Sequence, residues 1–162
     1  MSFLTRRTFL ASGAAAASVM AFLRDAGAEE GPGPGARLTC ADVSKKSLEI
    51  AGGRFPGQAE YVPINGDRLP FDDQSFEVGF VSCVFHHIPH DEHVRILAEL
   101  NRVLRAGGHL FLFEHNPFNP LTVQAVNTCP FDENARLIRP GVMRQRIRTA
   151  GFGEARVRDA DL

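Results

Sequence analysis

Residues 97–116 read LAELNRVLRAGGHLFLFEHN, and the change of period within them decides the fold. On the amino side, Ile96, Leu97, Leu100, Val103 and Leu104 stand at i, i+1, i+4, i+7 and i+8, a broad apolar face of one helix. On the carboxyl side, HLFLFE is the most apolar run of the chain and reads as a buried strand. Gly107 and Gly108 lie between and are expected to stop the helix, which the pattern extends over residues 91–105. Asp91 and Glu92 suit the positive amino end of that helix, and Arg102 and Arg105 its negative carboxyl end.

The same alternation continues outward. Upstream, residues 76–83 (FEVGFVSC) read as a strand, and residues 61–64 as a shorter one in which Pro63 removes a ladder donor. Residues 38–43 (LTCADV) form the first clear strand, and Ser44 can cap the helix that follows, although Gly52 and Gly53 weaken it. Downstream of a proline-punctuated segment, Pro140 opens a helix with Met143, Ile147 and Ala150 on one face and Gly151 as its stop. Residues 154–158 are expected to add a last strand. Alternation of this kind predicts a three-layer α/β sandwich with a mostly parallel sheet.

With 162 residues, 44% hydrophobic and 23% charged, the chain has the size and composition of one globular domain. A net charge of −1 gives no general drive toward nucleic acid. Arg136, Arg139, Arg144, Arg146 and Arg148 read as the solvated side of the last helix, so no nucleic-acid partner is expected. Cys40, Cys83 and Cys129 are scattered and form no C-x-x-C pair, which argues against a disulfide framework or a cysteine zinc site. No apolar run reaches the ~20 residues of a membrane span. His86, His87, His90 and His93, even with Cys83, match no defensible ligand spacing, and no metal is expected.

In such sheets ligands bind beyond the carboxyl ends of the strands. Asp42 ends the first clear strand, where its two oxygens match a vicinal diol; a helix-capping role is an equal alternative. Asp67 follows Asn65 and Gly66 in a turn, where a local backbone bond is the simpler reading. Three blocks then stand in order: ADVSKKSLEIA (41–51), NGDRLPFDDQSFEVGFVSCVFHHIP (65–89) and LAELNRVLRAGGHLFLFEHN (97–116). Together they resemble the class I S-adenosylmethionine-dependent methyltransferases of the small-molecule type, over residues 38–152.

The resemblance implies a Rossmann-like fold, S-adenosylmethionine as cofactor and a small-molecule acceptor. By position, it gives Asp42 the ribose hydroxyls, Val43 the adenine face, Gly66, Asp67 and Arg68 the adenine edge, and Ser82 and Cys83 the methionine half. It puts His87, and after it His86, where the acceptor is met, as a general base. Glu114, His115 and Asn116 fall on the same rim.

Two features depart from the family. The G-x-G-x-G loop after the first strand is missing; the nearest match, residues 11–15 (ASGAA), offers only Gly13. A helix over residues 16–25 is expected to follow it. The closing hairpin is also missing. The expectation is therefore a domain incomplete relative to the family and truncated at both ends, with impaired methyl transfer; the alternative is a catalytically inactive remnant or binding module. Residues 1–28 also fit a twin-arginine export signal, through Thr5, Arg6, Arg7, Phe9 and Leu10 and an A-x-A site at residues 26–28. The chain thus divides into residues 1–28, a signal-like segment or a degenerate first strand, loop and helix, a Gly/Pro loop at 29–37 and a partial methyltransferase domain at 38–162. The methyltransferase reading implies a cytoplasmic protein, the signal reading an exported one, and nothing fixes the oligomeric state.

Overall fold

The computed structural model describes residues 19–25, 35–66 and 68–158. They form a five-stranded sheet with helices on both faces. Its strands are β1 (Val19–Asp25), β2 (Ala36–Asp42), β3 (Glu60–Pro63), β4 (Phe76–Ser82) and β5 (Leu104–Phe113). The helices are α1 (Lys45–Arg54), α2 (His93–Val103), α3 (Pro120–Thr128) and α4 (Pro140–Thr149). The spatial order is β3-β2-β1-β4-β5. β2 pairs with β3 in parallel, and β4 with β5. β1 is antiparallel to both β2 and β4, so the central strand runs against the other four.

That central strand corrects the helix expected at residues 16–25. Met20 and Phe22 alternate with Ala21 and Leu23, and the sheet on either side decides in favour of this period of two. Phe22 is fully buried, its ring stacked on Phe76 at 4.8 Å and edge-on to Phe71 at 5.4 Å. Residues 19–25 therefore belong to the sheet. The Gly/Pro loop also ends earlier than expected, since β2 begins at Ala36. The twin-arginine pattern, residues 11–15 and most of the loop lie outside the described residues.

One face of the sheet carries Met20, Phe22, Ala41 and Val81, which join Leu97, Leu100 and Val103 of α2 and Met143 of α4 in the core. The opposite face carries Cys40, Tyr61, Ala21 and Phe80, by the register of the pairs. There α1 covers the β2–β3 side: a Cβ on Gly52 would meet the Tyr61 ring at 3.5 Å. On the β4–β5 side of that face Phe80, Phe111 and Phe113 are exposed.

Ser44 caps α1 as expected, its Oγ accepting from the Ser47 N–H at 3.2 Å. α2 is shorter than expected. Glu92 provides no side-chain cap and pairs instead with Arg95, and the chain turns extended at Leu104. Gly107 and Gly108 do not stop the helix; they lie inside β5. Phe76 faces Leu104 while Val78 faces His109, so a bulge separates the two pairings. Gly107 has φ +81, and a Cβ on Gly108 would come within 2.9 Å of two carbonyl oxygens. At the far end, α4 closes on Gly151 (φ +93) with the Phe152 N–H returning to the Ile147 carbonyl. Residues 154–158 form no strand.

Candidate cofactor and acceptor site

β2, β3, β4 and β5 all point their carboxyl ends at one rim, and most of the singled-out residues gather there. Reversal of β1 has a direct consequence at this rim. Val19 pairs with Ser82 and Met20 with Ala41, whereas Asp25 pairs with Ala36 at the opposite end of the sheet. The amino end of the central strand therefore faces the rim.

On the β2–β3 side, Val43, Ile64, Gly66 and Arg68 line a narrow cleft of about 220 Å³, closed by Met20, Leu69, Val84 and Ile88. Three residues expected to meet the adenine ring thus share one apolar wall. Val43 stands 65% exposed at the strand end, free to pack on a flat ring. Gly66 has φ +84, a conformation that favours glycine. Asp67 lies outside the described residues. The Asp42 carboxylate accepts the Ser44 N–H at 2.7 Å, a local turn bond, while the cap of α1 itself is Ser44. Burial pushes its pKa up, against the backbone bonds from Ser44 and Val43. The far wall of the cleft is held by Glu99, which accepts the Leu69 N–H, and by Arg102, which donates to the carbonyls of Leu69 and Phe71 and to Asp73 and Glu99.

On the β4–β5 side the contacts are denser. Cys83 leaves β4 in the left-handed region (φ +55), and its N–H bonds to the Phe113 carbonyl. Ser82 donates to the Cys83 sulfur at 3.8 Å. Burial pushes the Cys83 thiol up, and the charges of Glu114 and Asp132 add to that. Residues Phe85–His87 form a 3-10 turn, and Glu114, just past β5, reaches across to it. Its Oε1 accepts the Val84 and Phe85 N–H groups at 3.0 and 2.7 Å, and its Oε2 accepts from His86 Nδ1 at 2.7 Å. The Nδ1–H is the donor, because a carboxylate has none to give.

Asp132, in a second 3-10 turn (Pro130–Asp132), meets this network from the other side. Its Oδ1 lies 3.4 Å from His86 Nε2 and 3.4 Å from His87 Nε2. The Arg136 N–H donates to the His86 carbonyl at 2.8 Å and ties the two turns together. Burial alone would lower the His86 pKa, but the Glu114 bond and the two carboxylate charges raise it overall. His87 and His115 are held low, by burial first and by the His86 charge second.

His86 and His87 converge on Asp132, and His90 and His93 do not join that group. His93 is fully buried with both ring nitrogens engaged, Nε2 donating to the Ile88 carbonyl and Nδ1 accepting from Arg146 at 2.6 Å. Asn116 accepts the Phe118 N–H and serves its own turn. Asp132 is the residue that sequence reasoning missed. Its only signal is a lone aspartate in a proline-bounded segment.

Comparison with known proteins agrees with the blocks that carry the resemblance. A family model described as a methyltransferase domain matches residues 12–112, more than half of the chain. The ubiquinone/menaquinone biosynthesis C-methyltransferase UbiE of Ectopseudomonas mendocina is 29% identical over 105 residues, which cover 61% of this chain and 40% of that one. The demethylmenaquinone methyltransferase of Chlorobaculum tepidum is 35% identical over 81 residues, covering 50% and 32%. The chain thus spans well under half the length of these curated relatives. Among solved structures, an S-adenosylmethionine-dependent methyltransferase of Thermotoga maritima, described as a possible histamine N-methyltransferase, superposes with TM-score 0.61 at 25% identity, over 70% of this chain and 54% of that one. The [4+2]-cyclase SpnF, at 19% identity and TM-score 0.54 over 70% and 41%, shares the fold alone. On these matches the chain belongs to the class I S-adenosylmethionine-dependent methyltransferase family, and S-adenosylmethionine is the cofactor that goes with that membership.

Proposed function

We propose that this chain binds S-adenosylmethionine by its adenosine end and serves methyl transfer to a small organic acceptor. The observation that carries this reading is the cleft at the ends of β2 and β3, where Val43, Gly66 and Arg68 line one wall beside Asp42. Its volume of about 220 Å³ falls below the ~300 Å³ at which ligand pockets usually begin, so it suits the adenine rather than the whole cofactor. Asp42 would take the ribose hydroxyls with the carboxylate oxygen its backbone bond leaves over. The acceptor belongs on the other side, where His87 opens into the same cleft. The methyl group of a sulfonium is already activated, so the protein's main contribution is alignment of donor and acceptor. The relatives named for quinone biosynthesis make a hydroxylated aromatic ring the first acceptor class to try.

A second reading, a binding module with little or no turnover, is favoured by the reversed central strand. That strand presents its amino end at the rim, where the four other strands present their carboxyl ends. Isothermal titration with S-adenosylmethionine and with S-adenosylhomocysteine tests the first reading. Saturable one-to-one binding is expected, and no heat at high micromolar ligand overturns it. Methyl transfer to any acceptor would remove the second.

A further inference from the structure

The Glu114 network leaves two buried acceptors facing each other. His86 is 1% exposed, and its Nδ1–H is committed to Glu114, so in the neutral ring Nε2 carries a lone pair. That lone pair faces Asp132 Oδ1, whose side chain is 5% exposed. Neither atom has a hydrogen-bond partner among the described residues. Unpaired acceptors at such depth are costly and call for a partner.

A proton shared between them is the simple alternative, and the distances argue against it. A charge-assisted N–H···O bond closes to about 2.7–2.9 Å, as His86 does on Glu114, whereas both Asp132 contacts stand at 3.4 Å. Separations near 3.3–3.4 Å are those of neighbouring ligands around a tetrahedral ion with bonds of about 2.0–2.1 Å. Octahedral neighbours would sit closer, at about 3.0 Å. The His86, His87 and Asp132 ligand atoms all lie within 4.8 Å of one another.

We propose that His86 Nε2, His87 Nε2 and Asp132 Oδ1 form a site for a four-coordinate divalent ion of the zinc class. Two imidazoles and one carboxylate are a donor set that zinc accepts with one position left open. Glu114 is the outer carboxylate. It fixes the His86 tautomer and aims Nε2 at the ion, the partner that metal-bound histidines usually have. The ion also offsets the charges of Glu114 and Asp132 on either side of His86. The open position takes water or an anionic oxygen ligand, and the His115 ring lies 4.8 Å from that of His86, its Nε2 buried without a hydrogen-bond partner among the described residues. As a ligand, His87 does not also serve as the proton acceptor that its position in the family pattern implies. This site does not rest on the methyltransferase reading, because zinc binding is measured without the cofactor or an acceptor.

The test uses the full chain, purified without a histidine tag, stripped with a chelator and titrated with Zn²⁺ and with Co²⁺ as a spectroscopic probe. One Zn²⁺ per chain is expected, with the intense visible bands of four-coordinate Co²⁺. His87→Ala, the least buried ligand, and Asp132→Asn should each weaken Zn²⁺ binding more than 100-fold. Glu114→Gln should weaken it about 10–100-fold. His109→Ala, on an exposed part of β5, should change nothing. Failure to bind Zn²⁺, or unchanged affinity in both His87→Ala and Asp132→Asn with the fold retained, overturns the proposal.

Discussion

On the β2–β3 side of the rim, the Asp42 carboxylate is tied, among the described residues, to the backbone beside it, and the cleft wall is mostly apolar. On the β4–β5 side, one carboxylate holds three donors and draws together two loops distant in sequence. The first side is a surface for a flat ligand and spends little on its own order. The second is a braced polar cluster that fixes its residues whether or not anything binds. Between them runs the reversed strand, which gives the rim Met20 and an amino end. Local stability and ligand affinity are therefore expected to respond separately to changes on the two sides.

Mutations can break that separation. Phe22→Ala, in the strand between the two halves, should cost about 3–5 kcal/mol of stability, because a fully buried ring stacked on Phe76 leaves a cavity. A denaturant melt reads this, and an unchanged midpoint would show residues 19–25 outside the core. Glu114→Ala should cost about 3 kcal/mol, since the Val84, Phe85 and His86 donors lose their acceptor together. The same change should alter S-adenosylhomocysteine affinity far less than Asp42→Ala, which should weaken it about tenfold or more with the fold kept. Equal effects from both would mean that the two sides are one unit. Ser44→Ala should cost about 1 kcal/mol, the value of a single cap at the start of α1.

The smallest effect concerns acid. Hydrogen bonds from Arg102 hold the Glu99 carboxyl below the usual range, against burial that raises it. Its folded pKa lies below the unfolded value, so its contribution is complete above about pH 4.3 and is lost as pH falls through the folded value. The stability gap between wild type and Glu99→Gln should therefore be widest near neutral pH and close below about pH 4. A gap that is independent of pH would remove the Glu99–Arg102 pair from the account.

What could be read ahead of the structure follows the reach of each signal. The apolar runs of β2, β4 and β5, the period of α2, the Ser44 cap and the Gly151 stop are local, and all appear in the fold. The direction and type of β1 were hidden, because VMAFLRD satisfies a helix face as well as a strand and only pairing with β2 and β4 decides. The end of α2 was misplaced because two glycines look like a helix stop, yet here they allow a bulge where Gly108 passes the carbonyls of Arg105 and Glu77. At the rim, Val43, Gly66 and Arg68, singled out from two separate blocks, line one cleft. The partnership of His86 with Glu114 and Asp132 was not, since it joins three separate loops that only the sheet brings together.

Hydrogen exchange with and without saturating S-adenosylhomocysteine tests the central claim, that the adenosine end of the cofactor settles against β2 and β3. Exchange should slow at the amides of Val43 and Ser44 and of residues 64–69. It should change little at Val84 and Phe85, whose amides Glu114 already protects. No slowing at Val43, Ser44 and Gly66 under ligand saturation would contradict the claim.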